Sequence, residues 1–176
     1  MLHVIKKKKT ENTSQETTSK VYFQEINDTI LESDISKIIE IDLNDDREVD
    51  LAFEIINLNN YDQAQHLNDS LAAQAITPNV ELMDKSTYGY PDALDKDVLL
   101  TTSMSWIKRE TAVLGTNPGV NFQGQGEKYL AFRLTTENNY YYGWVKLECS
   151  EKRDVLRIIS CGISEETNKS IYTGQK

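Results

Sequence analysis

The sequence predicts a mainly β protein: an antiparallel β-sandwich of jelly-roll-like form with a minor helix. From residue 21 onward the chain repeats short runs rich in Val, Ile, Tyr and Phe, the residue types that favour strands. Clusters of Asn, Asp, Gly and Pro separate these runs, as turns between antiparallel strands require. Long helical patterns that alternate with strands are missing, which argues against a parallel sheet.

Length and charge predict one acidic domain behind a basic tail. A chain of 176 residues has room for a single ordinary domain. Residues 1–20 are rich in Lys, Thr and Ser and contain no aromatic residue, so we expect a disordered tail or tether there, followed by one folded domain over residues 21–176. The tail carries a formal charge of +3 and the remainder −12, a balance that excludes nucleic acid as a partner. No apolar run approaches the roughly 18 residues of a transmembrane segment.

Eight segments carry the strand signal. Within each of them, apolar residues either alternate with polar ones or form a short apolar run, as half-buried and buried strands do. The signal is strongest in the last three, which turn residues separate. The acidic run between the second and third segments predicts a hairpin or a tight β-corner. The predicted strands cover residues 21–26, 35–43, 50–58, 79–83, 98–107, 128–135, 140–149 and 155–161.

Two stretches depart from the strand pattern. Leu67, Leu71 and Ala75 recur at helical spacing among polar residues, so residues 59–75 predict a short helix or a long polar loop. Residues 84–97, which include a Tyr-Gly-Tyr-Pro run, predict an exposed loop. Neither stretch changes the predicted fold class.

The two cysteines, Cys149 and Cys161, are expected to be buried free thiols. A hairpin that turns near Lys152 separates them by more than the roughly 7 Å between Cα atoms that a disulfide allows. Zinc is excluded, because only His3 and His66 are available to complete a site and the spacing fits no zinc motif. Cysteine usage therefore leaves the compartment of the protein open.

The acidic run between the second and third predicted strands is the candidate metal site. Its oxygen donors stand at alternating positions, which a tight loop can turn inward onto a calcium ion. The run resembles the calcium loops of integrin-type propeller and thrombospondin repeats, except that Arg47 stands where those loops have glycine. The resemblance implies a structural Ca²⁺ ion; the competing interpretation is a solvated turn without metal. The candidate ligands are Asp42, Asn44, Asp46, Asp50 and, through its backbone carbonyl, Glu48.

Aromatic residues at the start of the seventh predicted strand are candidates for ligand binding. Tyr140, Tyr142 and Trp144, with Tyr141 between them, can form a stacking platform for sugar rings. Packing in the core and across strands is the competing interpretation. Gly143 either lets a neighbouring group approach the strand closely or permits a bulge.

The C-terminal part of the chain resembles a family of uncharacterised bacterial secreted proteins and lipoproteins. The resemblance lies in the Tyr-Leu-Ala-Phe-Arg-Leu strand at residues 129–134, the Tyr-Gly-Trp-Val-Lys-Leu strand at residues 142–147 and the Ile-Tyr-Thr-Gly end at residues 171–174. Residues 42–53 also resemble the family's early strand-turn-strand. The resemblance implies a β fold and an exported, surface-attached protein, in which residues 6–20 would be the tether after a lipid anchor. It implies no enzymatic residues.

The sequence contains no clear catalytic constellation. His66 lies in a polar stretch, no Gly-x-Ser-x-Gly elbow is present, and 28 acidic residues allow too many carboxylate pairs to single one out. We therefore expect a non-enzymatic, exported or surface-attached accessory or binding module with a protein or glycan ligand. A small hydrolase with converging carboxylates and a cytoplasmic interaction domain are the alternatives, and the oligomeric state stays open.

Overall fold

A computed structural model describes residues 18–57, 71–86, 90–115, 121–136 and 138–176. Within these ranges the only helix is a short 3-10 turn at Glu32–Asp34, and no helix is long and apolar enough to cross a membrane. The strands are β1 (Val21–Leu31), β2 (Ile39–Ile41), β3 (Leu51–Asn57), β4 (Leu71–Ile76), β5 (Val80–Met83), β6 (Ala93–Leu94), β7 (Leu99–Leu100), β8 (Trp106–Lys108), β9 (Thr111–Gly115), β10 (Glu127–Thr136), β11 (Asn139–Cys149), β12 (Val155–Ser164) and β13 (Ile171–Tyr172).

The strands form three sheets. The large sheet has the order β1-β12-β11-β10-β5-β8, and β6 also pairs with β10. The second sheet has the order β2-β3-β4-β9, and β13 pairs with β7 in a small third sheet. All these strand pairs are antiparallel. The predicted mainly β fold with antiparallel sheets and a minor helix is therefore confirmed.

The large sheet buries side chains on both of its faces. Along β10, Leu130, Phe132 and Leu134 join the main core together with residues of the second sheet. Tyr129 and Ala131 lie on the opposite face, in a smaller cluster that includes residues of β7 and β13. This alternation follows from the two-residue period of a strand. The arrangement is sandwich-like, with the small third sheet on the outer face of the large one.

Gly143 allows the main core to close over the middle of β11. It lies directly opposite Phe132 in the β10–β11 register. A Cβ atom at Gly143 would lie 2.1 Å from Cζ of the Phe132 ring, far inside van der Waals contact. The close approach predicted for this glycine is confirmed.

Part of the predicted helix or loop is a strand instead. Residues 71–75 belong to β4, which pairs with β3 on one side and β9 on the other. Leu71, Ala73 and Ala75 join the main core at the two-residue period of a strand, so pairing between distant segments overrides the helical spacing. Leu67 and the rest of that stretch lie outside the described residues.

Two other predicted boundaries also need correction. Residues 98–107 do not form one strand but contain β7 and the start of β8, because the chain turns at residues 102–103 between them. The stretch 84–97 is not wholly exposed: Asp84 is buried and β6 pairs with β10. The second predicted strand is shorter than expected, since only Ile39–Ile41 pairs with β3.

The fold begins inside the predicted tail. Ser19 is 1% exposed, and its N–H donates to the carbonyl of Ser170 over 2.9 Å. The carbonyl of Lys20 accepts the N–H of Glu165, also over 2.9 Å. Residues 18–20 are therefore part of the folded body, and the remainder of the predicted tail lies outside the described residues.

The two cysteines occupy neighbouring strands of the large sheet. Cys149 lies opposite Leu156, and Cys161 lies opposite Val145, four residues along β11. Both are buried and free. The prediction of two buried free thiols is therefore confirmed.

Candidate functional site

Asp42 organises the loop between β2 and β3. Its Oδ1 accepts the N–H groups of Asn44, Asp45 and Asp46 over 3.2, 2.8 and 3.3 Å. Its Oδ2 accepts the N–H of Arg47 over 2.8 Å. Desolvation by itself raises the pKa of the Asp42 carboxyl, but these N–H donors outweigh it and hold the pKa below its ordinary value. Asp42 is therefore an ionised anchor for the backbone of its own loop.

The middle of the loop makes the sharp turn that the sequence predicts. Asp45 and Arg47 adopt φ angles of 60° and 73°, so Arg47 is left-handed where the calcium loops that this run resembles have glycine. Asp46 Oδ1 accepts the N–H of Glu48 over 2.8 Å, and its Oδ2 accepts a hydrogen bond from Asn44 Nδ2, also over 2.8 Å. Side-chain to backbone hydrogen bonds thus hold the turn.

Asp50 closes the loop from the buried side. Its side chain is about 1% exposed, and its Oδ2 accepts the N–H of Leu43 over 2.9 Å. Its Oδ1 has no hydrogen-bond partner among the described residues. Desolvation raises the pKa of this carboxyl, and the negative charges of Asp46 and Asp42 raise it further. Together they outweigh the hydrogen bonds from Leu43 and Asn79, which lower the pKa.

The five predicted calcium ligands lie in one loop, but the side chains of four of them accept hydrogen bonds from the backbone of that loop. Asp42, Asp46 and Asp50 each accept a backbone N–H, and Asn44 Oδ1 accepts the N–H of Asp46. Glu48, predicted to contribute its carbonyl, donates its N–H within the same network. In the described part of the chain, no group of three or more His, Cys, Asp and Glu is placed to hold a metal ion. Calcium binding at this loop stays a prediction.

The prediction that Tyr140, Tyr142 and Trp144 form a stacking platform is wrong, because two of the three are buried. Tyr142 is fully buried and Trp144 is 1% exposed, because they lie on the face of the large sheet that packs with β7 and β13. The Trp144 ring meets Tyr129 edge-on, with ring centroids 5.4 Å apart. Tyr140 is half-buried under the guanidinium of Arg133, which lies 4.0 Å from its ring centroid. These aromatic residues instead pack in the core and against neighbouring strands, which was the competing interpretation.

Trp144 and Tyr129 also line a small cavity of about 270 Å³ on that face. The walls of this cavity mix charges of both signs, from Glu25 and Lys146 among others. Trp144 Nε1 is buried without a hydrogen-bond partner in the described residues. The cavity is too small and too mixed in charge to favour one class of ligand.

A larger groove, of about 810 Å³, lies between the acidic loop and the large sheet. The loop supplies Asp42, Asp45 and Asp46 to its lining, together with Asn44. Among the described residues, the lining contains neither Lys nor Arg. The negative charge of this wall is therefore not neutralised within the groove.

The opposite side of the groove is apolar. Leu134 of β10, Tyr141 of β11 and Ile163 of β12 form a floor at the rim of the main core. Tyr22 of β1 also lines the groove, and its side chain is 62% exposed. The loop was found from its sequence pattern, whereas these residues carry no signal that would single them out.

Nucleophilic or acid–base chemistry finds no support in these residues. Burial raises the pKa of Cys149 to about 12 and that of Cys161 to about 11, so neither thiol ionises near neutral pH. The lowered pKa of Asp42 in the groove is the opposite of what a general acid needs. Asp50, whose pKa is raised, is buried. His66 lies outside the described residues.

In comparisons with known proteins, the chain matches no family model, no curated protein and no solved structure. The resemblance of the C-terminal strands to secreted proteins and lipoproteins therefore stays a prediction. The same holds for export and for a lipid anchor. A function has to be argued from the chemistry of the groove itself.

Proposed function

We propose that this protein is a non-enzymatic binding module whose groove holds a basic, partly apolar segment of a partner protein. The observation that carries the proposal is an apolar floor facing a wall of three aspartates, with no basic residue in the lining among the described residues. Lys and Arg suit such a site, because their apolar stems lie along the floor while their charged ends reach carboxylates. The proposed ligand follows from this complementarity.

The charge of the protein as a whole supports the same partner. The formal net charge is −9, so a basic segment is attracted from a distance as well as in contact. Asp42 stays ionised because its pKa is lowered, and Asp45 and Asp46 are exposed beside it. Binding that depends on such exposed charges weakens as salt is added.

Peptide pools test the proposal directly. One pool of short peptides combines Lys with Leu and Val in mixed order, a second has Glu in place of Lys, and a third has Ser in place of Leu and Val. We expect the first pool alone to bind tightly in isothermal titration calorimetry, and its tightest member serves as the parent peptide. Equal binding by the Glu pool would contradict the proposal.

A matched pair of variants assigns the binding to the groove. Asp45 lines the groove and Asp97 does not, and both have a positive φ that asparagine tolerates. We expect Asp45→Asn to weaken binding of the parent peptide about threefold to fivefold, as ~0.6–1 kcal/mol for one charge at a rim implies. Asp97→Asn should leave it unchanged. An equal effect of both variants would show that only the net charge matters.

A glycan is the second candidate ligand. The observation that favours it is the pair of tyrosines in the groove, Tyr22 and Tyr141, beside polar Gln24 and Asn44. A neutral oligosaccharide stacked on Tyr22 would bind with little dependence on salt and would be lost in Tyr22→Ser. Tyr172→Ser is the control, because Tyr172 is also exposed and lies outside the groove.

A further inference from the structure

We infer that the partner segment binds as an added β-strand along residues 21–25 of β1, with alternate side chains pointing into the groove. This inference rests on the proposed function, since it specifies how the groove holds its partner. Strand addition takes affinity from main-chain hydrogen bonds and specificity from a pocket that receives alternate side chains. β1 offers both, because it is an edge strand and also lines the groove.

The register of β1 shows which of its backbone groups are open. Among the described residues, β1 is the last strand of the large sheet and pairs only with β12. The N–H of Glu165 donates to the carbonyl of Lys20, and hydrogen-bonded pairs alternate with non-hydrogen-bonded pairs along an antiparallel ladder. The backbone groups of Tyr22 and Gln24 therefore face β12. Those facing the open edge belong to Val21, Phe23 and Glu25.

The open stretch ends at a β-bulge. The register shifts between Glu25 and Asp28, and Asn27 within the bulge has a φ of 52°. Beyond it, Lys37 Nζ donates to the carbonyl of Thr29 over 2.9 Å and to Asp28 Oδ1 over 2.6 Å. A bulge and a lysine are common means of blocking the edge of a sheet. Within the described part of the chain, the edge is thus open beside the groove and closed after it.

The side chains of an added strand would meet the groove. Tyr22 and Gln24 point into it, and residues of a neighbouring strand that lie opposite them share their side of the sheet. Those residues would contact the apolar floor near Ile163 and the aspartates near Asp45. The other edge strands described in the two larger sheets are short, with 3, 2, 3 and 5 residues in β2, β6, β8 and β9, and they do not line the groove.

N-methylation of the peptide backbone tests the inference without touching the protein. The parent peptide is made in two versions, N-methylated at one or the other set of alternate residues. An added strand uses one set of N–H groups toward β1, so we expect one version to lose at least about tenfold in affinity and the other about twofold or less. Equal affinities of the two versions and the parent would overturn strand addition and leave the proposed function standing.

Amide hydrogen exchange of the protein gives a second readout. The amides of Val21, Phe23 and Glu25 should exchange rapidly in the free protein and become protected by the parent peptide, whereas Tyr22 and Gln24 are protected in both states. Binding with protection confined to residues 42–46 would mean that side chains alone hold the peptide, and would overturn the inference. Failure of the Lys pool to bind at all would overturn the proposed function, and this inference with it.

Discussion

Asp50 stabilises its loop through one oxygen and destabilises the fold through its charge. Its Oδ2 accepts the buried N–H of Leu43, and an unpaired buried donor costs about 1–3 kcal/mol. Its Oδ1 is buried without a partner in the described residues, and the negative charges of Asp42 and Asp46 lie nearby. The two contributions can be separated, because asparagine keeps an acceptor and removes the charge.

We expect Asp50→Asn to equal or exceed the wild type in free energy of unfolding at neutral pH, and Asp50→Ala to lose about 1–3 kcal/mol. Because the pKa of Asp50 is raised in the folded protein, ionisation disfavours the folded state above that pKa and has no effect below the ordinary value of 3.8. The advantage of asparagine should therefore vanish as the pH falls toward 3.8. Urea unfolding across this range measures it; equal losses in both variants at neutral pH would contradict the argument.

Gly143 is a second position where a single residue decides the packing, here because it has no side chain. A methyl group there would overlap the Phe132 ring, so Gly143→Ala should destabilise the protein by about 1–3 kcal/mol or more. Phe132→Leu removes the ring and should therefore recover part of that loss in the double variant. A double-mutant cycle measures this coupling. Simple additivity of the two changes would show that the clash is not the cause.

The hydrogen bonds that hold the loop between β2 and β3 can be tested directly by substitution. Since four backbone N–H groups converge on Asp42, we expect Asp42→Ala to lower the melting temperature even with chelator present. Asp45→Asn is the control, because Asp45 contributes its backbone N–H to this network and asparagine keeps that N–H. A normal melting temperature for Asp42→Ala would mean that the network contributes little.

Calcium added to the wild type tests the metal prediction separately. An ion bound at this loop would raise the melting temperature, and Asp46→Ala should remove that increase. An unchanged curve would leave hydrogen bonds as the support of the loop.

The strands could be predicted where local pattern and pairing agree. β10, β11 and β12 are long runs rich in apolar and aromatic residues and are joined by short turns, so each segment signals its own structure. The sequence of β4 does not signal a strand, because its alanines fit a helix as well as a strand. Only its pairing with β3 and β9 decides between the two structures. Trp144 shows the same limit, since an aromatic residue on a strand is exposed or buried according to what covers that face.

The groove itself could be predicted only in part. The acidic loop is a continuous stretch of sequence, and its Asp and Asn residues predict a turn there. The floor comes from β10, β11 and β12, and the open edge from β1, which are brought together only by the order of strands in the sheet. Nothing in the residues near Leu134 or Ile163 distinguishes them locally from other core positions. The sequence therefore predicts the acidic wall of the groove but not the groove as a whole.

Over the whole molecule, the two ends of the described chain meet on the large sheet. Ser19 pairs with Ser170, and Gln175 Nε2 donates to the carbonyl of Ser19 over 2.6 Å. Ile171 is fully buried beside Leu100, which it faces in the β13–β7 pair. The C-terminal residues are therefore part of the outer layer and not an appendage. Removing chain from either end should have unequal consequences.

Deleting residues 170–176 should cost about 2–3 kcal/mol or more, because it removes the buried side chain of Ile171 and uncovers Leu100. Thr173 Oγ1, which accepts the N–H of Val98 over 2.9 Å, is lost as well. Deleting residues 1–17 should change the free energy of unfolding by less than about 0.5 kcal/mol, as the composition of that stretch predicts. Urea unfolding of both truncations gives the comparison. A large loss on removing residues 1–17 would place that stretch in the folded core and contradict its prediction as a tail.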